Sequence, residues 1–213
     1  EIARLDDLRA TALEALIVLI ESGGPEVPAG AACPSHLPER APRWDNEVMT
    51  RVLFRFDHEG SVAGWQAIDD AVMGGVSASR LAWADAGHAL FTGIVSLAHG
   101  GGFASVRSPV ADLALPGATC YLLEARGDGR RYKLNLRTDE AFDGVTYQAS
   151  MKPVSGVWTV MRLPWASFLP TWRGRPVEGA PAFRPEDMRQ LGLLIGDRQA
   201  GPFALALRSI ALE

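Results

Sequence analysis

From residue 48 onward the chain is written as short apolar or alternating runs, each closed by glycine, proline or aspartate, with no long helical pattern between them. The runs fall at 51–56, 76–82, 89–95, 103–107, 119–125, 131–137, 145–151, 157–163, 191–195 and 203–210. Two of them alternate clearly. Tyr132, Leu134 and Leu136 share one face of a strand, as do Val157, Thr159 and Met161, which is the period-2 pattern of a half-buried strand. Strands this closely spaced leave no room for the helical crossovers of a parallel sheet. The expected class is therefore all-β, a jelly-roll-like β-sandwich. The 22 glycines and 14 prolines suit a turn-rich chain, and six Trp with eight Phe can fill the space between two sheets. Pro185-Glu186-Asp187 opens at most a short helical turn.

The first residues read differently. Leu5, Leu8, Ala12, Leu16 and Leu19 form one stripe at helical spacing, widened by Leu13, Ile17 and Ile20, and Ser22-Gly23-Gly24-Pro25 ends the pattern. Pro25, Pro28, Pro34, Pro38 and Pro42 then punctuate a linker-like stretch. The expected organisation is an amphipathic helix over 1–22, a linker over 23–47 and a sandwich domain over 48–213. A helix with so broad an apolar face needs cover, either on its own sandwich or in a homo-oligomer.

Charge narrows the partners. Lys and Arg number 21 against 25 Asp and Glu, a net of −4, which excludes a broadly basic nucleic-acid protein. RNA is left only a local patch such as Arg162, Arg173 and Arg175. Cys33 and Cys120 lack metal-ligand or CxxC spacing and read as free thiols. No apolar run reaches the roughly 18 residues of a membrane-spanning helix. The apolar run at 15–20 follows acidic rather than basic residues, so it does not read as a signal peptide. These features together predict a cytoplasmic protein.

The most distinctive segment is Asp69-Asp70-Ala71-Val72-Met73-Gly74-Gly75-Val76-Ser77-Ala78-Ser79. Gly93-Ile94-Val95-Ser96-Leu97 and Gly101-Gly102-Phe103-Ala104-Ser105-Val106-Arg107 follow, then Gly127-Asp128-Gly129-Arg130-Arg131-Tyr132, Leu136-Arg137-Thr138-Asp139, and the stretch from Leu191 through Gly196-Asp197-Arg198-Gln199 to Phe203. In this order and at these spacings they resemble the complex I intermediate-associated protein 30 family over roughly residues 51–212. The resemblance implies a galactose-binding-domain-like sandwich. It also implies an assembly-factor or chaperone role with a protein partner, which for mitochondrial members is found among the subunits of respiratory complex I. Plant members place such a domain in larger RNA-associated or dehydrogenase-like proteins.

The residues themselves leave two functional classes open. Gly74-Gly75 allows a sharp turn, after which Asp70 either caps backbone N–H groups or faces a ligand. Arg107 and Arg137 each end an apolar strand and are expected at a rim of the sandwich. There they either pair with Asp139, Asp70 or Asp197, or hold a carboxylate or phosphate. Arg107→Ala and Arg137→Ala are each expected to cost about 1–3 kcal/mol, because each leaves a carboxylate unpaired. Asp197 and Gln199 sit in a glycine-bounded turn, and Trp165 and Trp172 are candidates for an exposed aromatic platform. The isolated histidines give no zinc spacing, the glycine clusters lack a phosphate-binding fingerprint, and no cofactor or metal is implied. The leading expectation is a non-enzymatic binding or assembly domain. The alternative is an enzyme or a carbohydrate- or anion-binding protein with a pocket lined by Asp70, Arg107, Arg137 and Asp197.

Overall fold

A computed structural model describes residues 50–140 and 143–213. The helix expected over 1–22 and the linker to 47 lie outside the described residues, as does any self-association through that helix.

Two antiparallel sheets enclose one core. The strands in chain order are β1 (Arg51–Arg55), β2 (Gln66–Ala67), β3 (Ala78–Ala84), β4 (His88–Val95), β5 (Ala104–Arg107), β6 (Cys120–Arg126), β7 (Tyr132–Arg137), β8 (Thr146–Met151), β9 (Thr159–Pro164), β10 (Leu169–Trp172), β11 (Arg175–Pro176), β12 (Gln190–Ile195) and β13 (Gly201–Leu212). One sheet has the order β3-β4-β13-β6-β9, with β1 also paired to β13; the other runs β11-β10-β8-β7-β12-β5-β2. All ten expected strands are present, and Pro185–Asp187 forms a short 3-10 turn. The two- to four-residue strands β2, β10 and β11 were not expected, being too short to show a period. Where β13 outruns its expected end at 210, the cause is pairing: it binds β4 over 201–207 and both β6 and β1 near its end.

Alternation places the core. In β7, Tyr132, Leu134 and Leu136 are fully buried. They meet Leu191, Leu193 and Ile195 of β12, and Phe91, Leu123, Leu205 and Ile210 of the other sheet, in a single cluster. Each such side chain contributes about 1.5–3 kcal/mol on burial, before chain entropy is subtracted. The consequence for function lies on the opposite face: the residues between them must turn away from the core.

Candidate functional site

Two adjacent carboxylates organise one flank of the sandwich. Asp70 accepts hydrogen bonds from the Ser77 amide (2.8 Å) and hydroxyl (2.6 Å), and from the amides of Gly102 (2.7 Å) and Phe103 (3.3 Å). Asp69 accepts from the Ser79 amide (2.8 Å) and hydroxyl (2.6 Å) and from the Ser105 amide (2.9 Å). Ser77 and Ser79, two residues apart, share one face of their extended segment, so each can meet one of the two adjacent aspartates. This latch ties the loop before β3 to the start of β5, and β3 begins at Ala78, directly after Ser77. Burial alone would raise the Asp70 pKa, but the hydrogen bonds from Ser77, Gly102 and Phe103 outweigh it and hold the carboxyl below its ordinary value. Glycine makes room for the carboxylate. A Cβ on Gly101 would stand 2.6 Å from Asp70 Oδ2, and one on Gly75 would fall on the same carboxylate.

Beside the latch, the face of the seven-stranded sheet turned away from the core forms a cleft of about 560 Å³. Its lining follows strand alternation: Ser105 and Arg107 from β5, Gly192 and Leu194 from β12, Lys133, Asn135 and Arg137 from β7, and Thr146 and Gln148 from β8. Register sets Arg107 opposite Gly192, Gly192 opposite Asn135, and Asn135 opposite Gln148, so one cross-strand row crosses the floor. Gly192 leaves the middle of that row without a side chain; a Cβ there would stand 3.1 Å from the Val106 carbonyl oxygen. Ile68, Val72 and Met73 form one wall, and the β10–β11 hairpin forms another with Thr171, Arg173 and Gly174. The turn at 196–198 closes a third side.

The cleft is cationic although the chain is net negative. Arg107, Lys133, Arg137, Arg173 and Arg198 line it, against the acids Asp143 and Asp197. Both acids are engaged. Asp143 accepts from Arg173 (Nε, 3.2 Å) and from the Trp172 indole (3.0 Å), and Asp197 meets Lys133 Nζ at 2.8 Å. The Arg173 hydrogen bond is the chief reason the Asp143 pKa lies below its ordinary value. Arg137, almost fully buried, meets Thr146 (3.3 Å) and the half-exposed Asp139 (3.2 Å). The Arg107 pKa is lowered first by burial and then by the charge of Arg137, with Asp143 opposing. Asn135 Oδ1 is buried on this floor and has no hydrogen-bond partner. Among the described residues, the non-glycine residues with positive φ are His99, Arg173, Asp197 and Arg198, and the last three line the cleft. Strain of this kind persists where the surroundings over-determine it, commonly at functional sites. Here Gln199 supplies the restraint by exchanging side-chain hydrogen bonds with the backbone of Arg131 (3.0 and 2.8 Å), while Arg130 donates to the Gln199 carbonyl (2.8 Å).

The sequence model of complex I intermediate-associated protein 30 matches residues 54–207, which include nearly all of both sheets. The chain belongs to this family. Complex I intermediate-associated protein 30 of Drosophila melanogaster, a mitochondrial protein by name, is 26% identical over 186 residues, covering 77% of this chain and 63% of the fly protein. A probable counterpart of Caenorhabditis elegans, also named mitochondrial, is 26% identical and is covered over 54% of its length by 76% of this chain. The chain thus spans less than two thirds of these relatives. Their names overturn the cytoplasmic expectation: the absence of a leader-like pattern in this chain carries no information about compartment. In structure, the family 11 carbohydrate-binding module of a Clostridium thermocellum cellulosomal cellulase superposes with a TM-score of 0.59 at 13% identity, covering 77% of this chain and 94% of the module. At that identity the likeness is one of fold, a galactose-binding-like β-sandwich.

Within this family member, the residues singled out from sequence separate into two groups. Arg107, Arg137 and Asp197 come together in the cleft, with Asp139 on Arg137 and Trp172 on its hairpin wall, where the Arg173 guanidinium lies 4.7 Å from the Trp172 ring centre. The arginines stand on the cleft floor rather than at a rim. Asp70 does not line the cleft, because four protein donors saturate it. Gln199 braces a turn. Trp165 is packed against Tyr121, Phe168 and Phe183, with its indole donating to the Ala118 carbonyl (2.5 Å), so it offers no open platform. Lys133, Asn135, Thr146, Gln148 and Gly192 went unrecognised. For Lys133 and Asn135 the signal was present, since a strand burying Tyr132, Leu134 and Leu136 must present Lys133, Asn135 and Arg137 together. Among the described residues no helix is long and apolar enough to cross a membrane, and no cluster of His, Cys, Asp or Glu is arranged to hold a metal ion.

Proposed function

We propose that this chain is a binding module that acts as an assembly factor for respiratory complex I, recognising a protein partner around the mouth of the cleft. The observation that carries the reading is the lining itself. A sheet face that merely met solvent would not need a central glycine, a buried guanidinium and strained turns on two sides. Family membership supplies the partner class, since the fly and nematode relatives are named for a complex I intermediate. The exposed Val72 and Met73 on one wall, and the exposed Trp172 on the hairpin of the other but outside the cleft lining, offer apolar anchors of the kind that concentrate binding energy at an interface. The exposed charges that line the cleft, Arg173 and Arg198, would fix register and exclude wrong partners.

The test is genetic and biochemical. Cells lacking the full-length protein are expected to accumulate partial complex I on native gels. The wild-type gene should restore assembly, whereas a double Met73→Asp, Trp172→Asp variant should not. Normal complex I in the absence of the protein overturns the assembly role. Full rescue by the double variant overturns the placement of the partner at the cleft mouth.

A further inference from the structure

The floor of the cleft is more specialised than a protein-facing rim requires. Its volume of about 560 Å³ falls in the range of small-ligand sites. Walls on several sides make it a pocket for a compact molecule rather than a groove for an extended chain. Its chemistry is graded. Two guanidiniums line it, Arg107 from β5 and Arg137 from β7, with β12 between their strands. Across the row stand Asn135 and Gln148, with Thr146 on the same strand as Gln148 and Ser105 on the strand of Arg107; these amide and hydroxyl groups both donate and accept. Arg137 also meets Asp139 at 3.2 Å, and the lining acids Asp143 and Asp197 meet Arg173 and Lys133. Each guanidinium carries five N–H donors, so an oxyanion set between the two takes charge-assisted hydrogen bonds in addition to those they already make. The buried Asn135 Oδ1 is an acceptor without a donor, an arrangement that costs stability unless something else rewards it. Ile68, Phe103 and Leu194 add an apolar surface suited to the C–H face of a ring.

We infer that the cleft floor binds a small hydroxylated organic anion. Its phosphate or carboxylate lies between Arg107 and Arg137, and its hydroxyl-bearing body extends over Gly192 toward Asn135 and Gln148. Gly192 is the position that admits the body, because any side chain there would occupy the middle of the row. This site does not depend on the protein partner.

Titration of the full-length chain, read by calorimetry and by the amide resonances of β5, β7 and β12, tests the inference. The probes are glucose 6-phosphate, glucuronate, inorganic phosphate and neutral glucose. At least one sugar anion is expected to move those resonances and to bind at least about tenfold more tightly than glucose, a difference of about 1.4 kcal/mol. The ratio between the phosphate and carboxylate probes identifies the anionic group. Binding should weaken with added salt, and Arg107→Gln should reduce it at least about tenfold. If Arg107→Gln loses its native amide spectrum, Gln148→Leu takes its place, with weaker binding of the sugar anion and unchanged binding of inorganic phosphate expected. Glucose binding as tightly as the anions, no response to any probe at millimolar concentration, or unchanged affinity in the variants overturns the inference. None of these outcomes depends on complex I assembly.

Discussion

The Asp69–Asp70 latch and the cleft floor lie side by side and use similar materials: buried or half-buried charges, glycines and short loops. They differ in where their hydrogen bonds go. In the latch, seven short hydrogen bonds run from protein donors into two carboxylates, and the flanking glycines lie against the Asp70 carboxylate itself. On the floor, Gly192 leaves the middle of a cross-strand row without a side chain, and cationic side chains outnumber acidic ones around a cavity. The first arrangement is closed and its energy appears as stability; the second is open and keeps part of its capacity for something else. A buried charge is therefore no guide to function until its partners are counted.

The largest effect expected from this contrast is in the latch. Asp70→Ala strips the acceptor from three backbone amides and a serine hydroxyl, and should destabilise the domain by about 3–5 kcal/mol in denaturant unfolding. Gly101→Ala should follow at about 1–3 kcal/mol, because the new Cβ meets the carboxylate that the amides hold in place. The latch also predicts a pH signature. The folded-state pKa of Asp70 lies below its ordinary value of 3.8. Its contribution is thus present in full above that value and is lost as pH falls through the lower folded value. In Asp70→Asn, melting temperatures measured between neutral and strongly acidic pH should lose that part of the acid-side decline. Unchanged acid sensitivity would mean that other carboxylates dominate it.

The cleft should respond in the opposite way. Arg107→Gln is expected to cost about 1–2 kcal/mol of unfolding free energy, less than Asp70→Ala, while reducing anion binding. Arg137→Ala is expected to cost about 1–2 kcal/mol, chiefly through lost packing of its buried stem, since the Asp139 it leaves behind is half exposed and readily solvated. Equal, large losses of stability in both variants would place these arginines with the latch.

How much of this was legible in the chain follows the range of the signal. Strand existence depends on local alternation, so the run from Tyr132 to Arg137 could be read directly. The outward face of that run was equally available, because the positions between buried residues must point away. What could not be read was which strands lie side by side. Arg107, Gly192, Asn135 and Gln148 are far apart in sequence and become a row only through the β5-β12-β7-β8 order, which follows from packing rather than from any local pattern. Asp70 shows the same limit from the other direction: an acid beside two glycines suits a turn or a ligand equally well, and only the distant Gly102 and Phe103 amides decide between them. Trp165 is set in a proline-rich segment that suggests exposure, yet Tyr121, Phe168 and Phe183 enclose it.

The smallest predicted effect is also the one in which stability and function part. Arg198 has φ of 57° and follows Asp197 at 56°, a conformation that costs a side-chain-bearing residue and is open to glycine. In Arg198→Gly, relief of that strain opposes the greater chain entropy of glycine when unfolded. The two are each of order 1 kcal/mol, so the net change should fall within about 0.5 kcal/mol of zero. Arg198 also lines the cleft, and its removal takes one positive charge from the site. Its partly screened charge should add a few-fold to anion affinity rather than the tenfold expected of Arg107. Parallel melting and titration of the glycine variant separate the two contributions. A clear gain in stability with unchanged anion binding would make this turn a scaffold strained for reasons unrelated to the ligand. Unchanged stability with weakened binding would tie the strain to the placement of the guanidinium over the cleft.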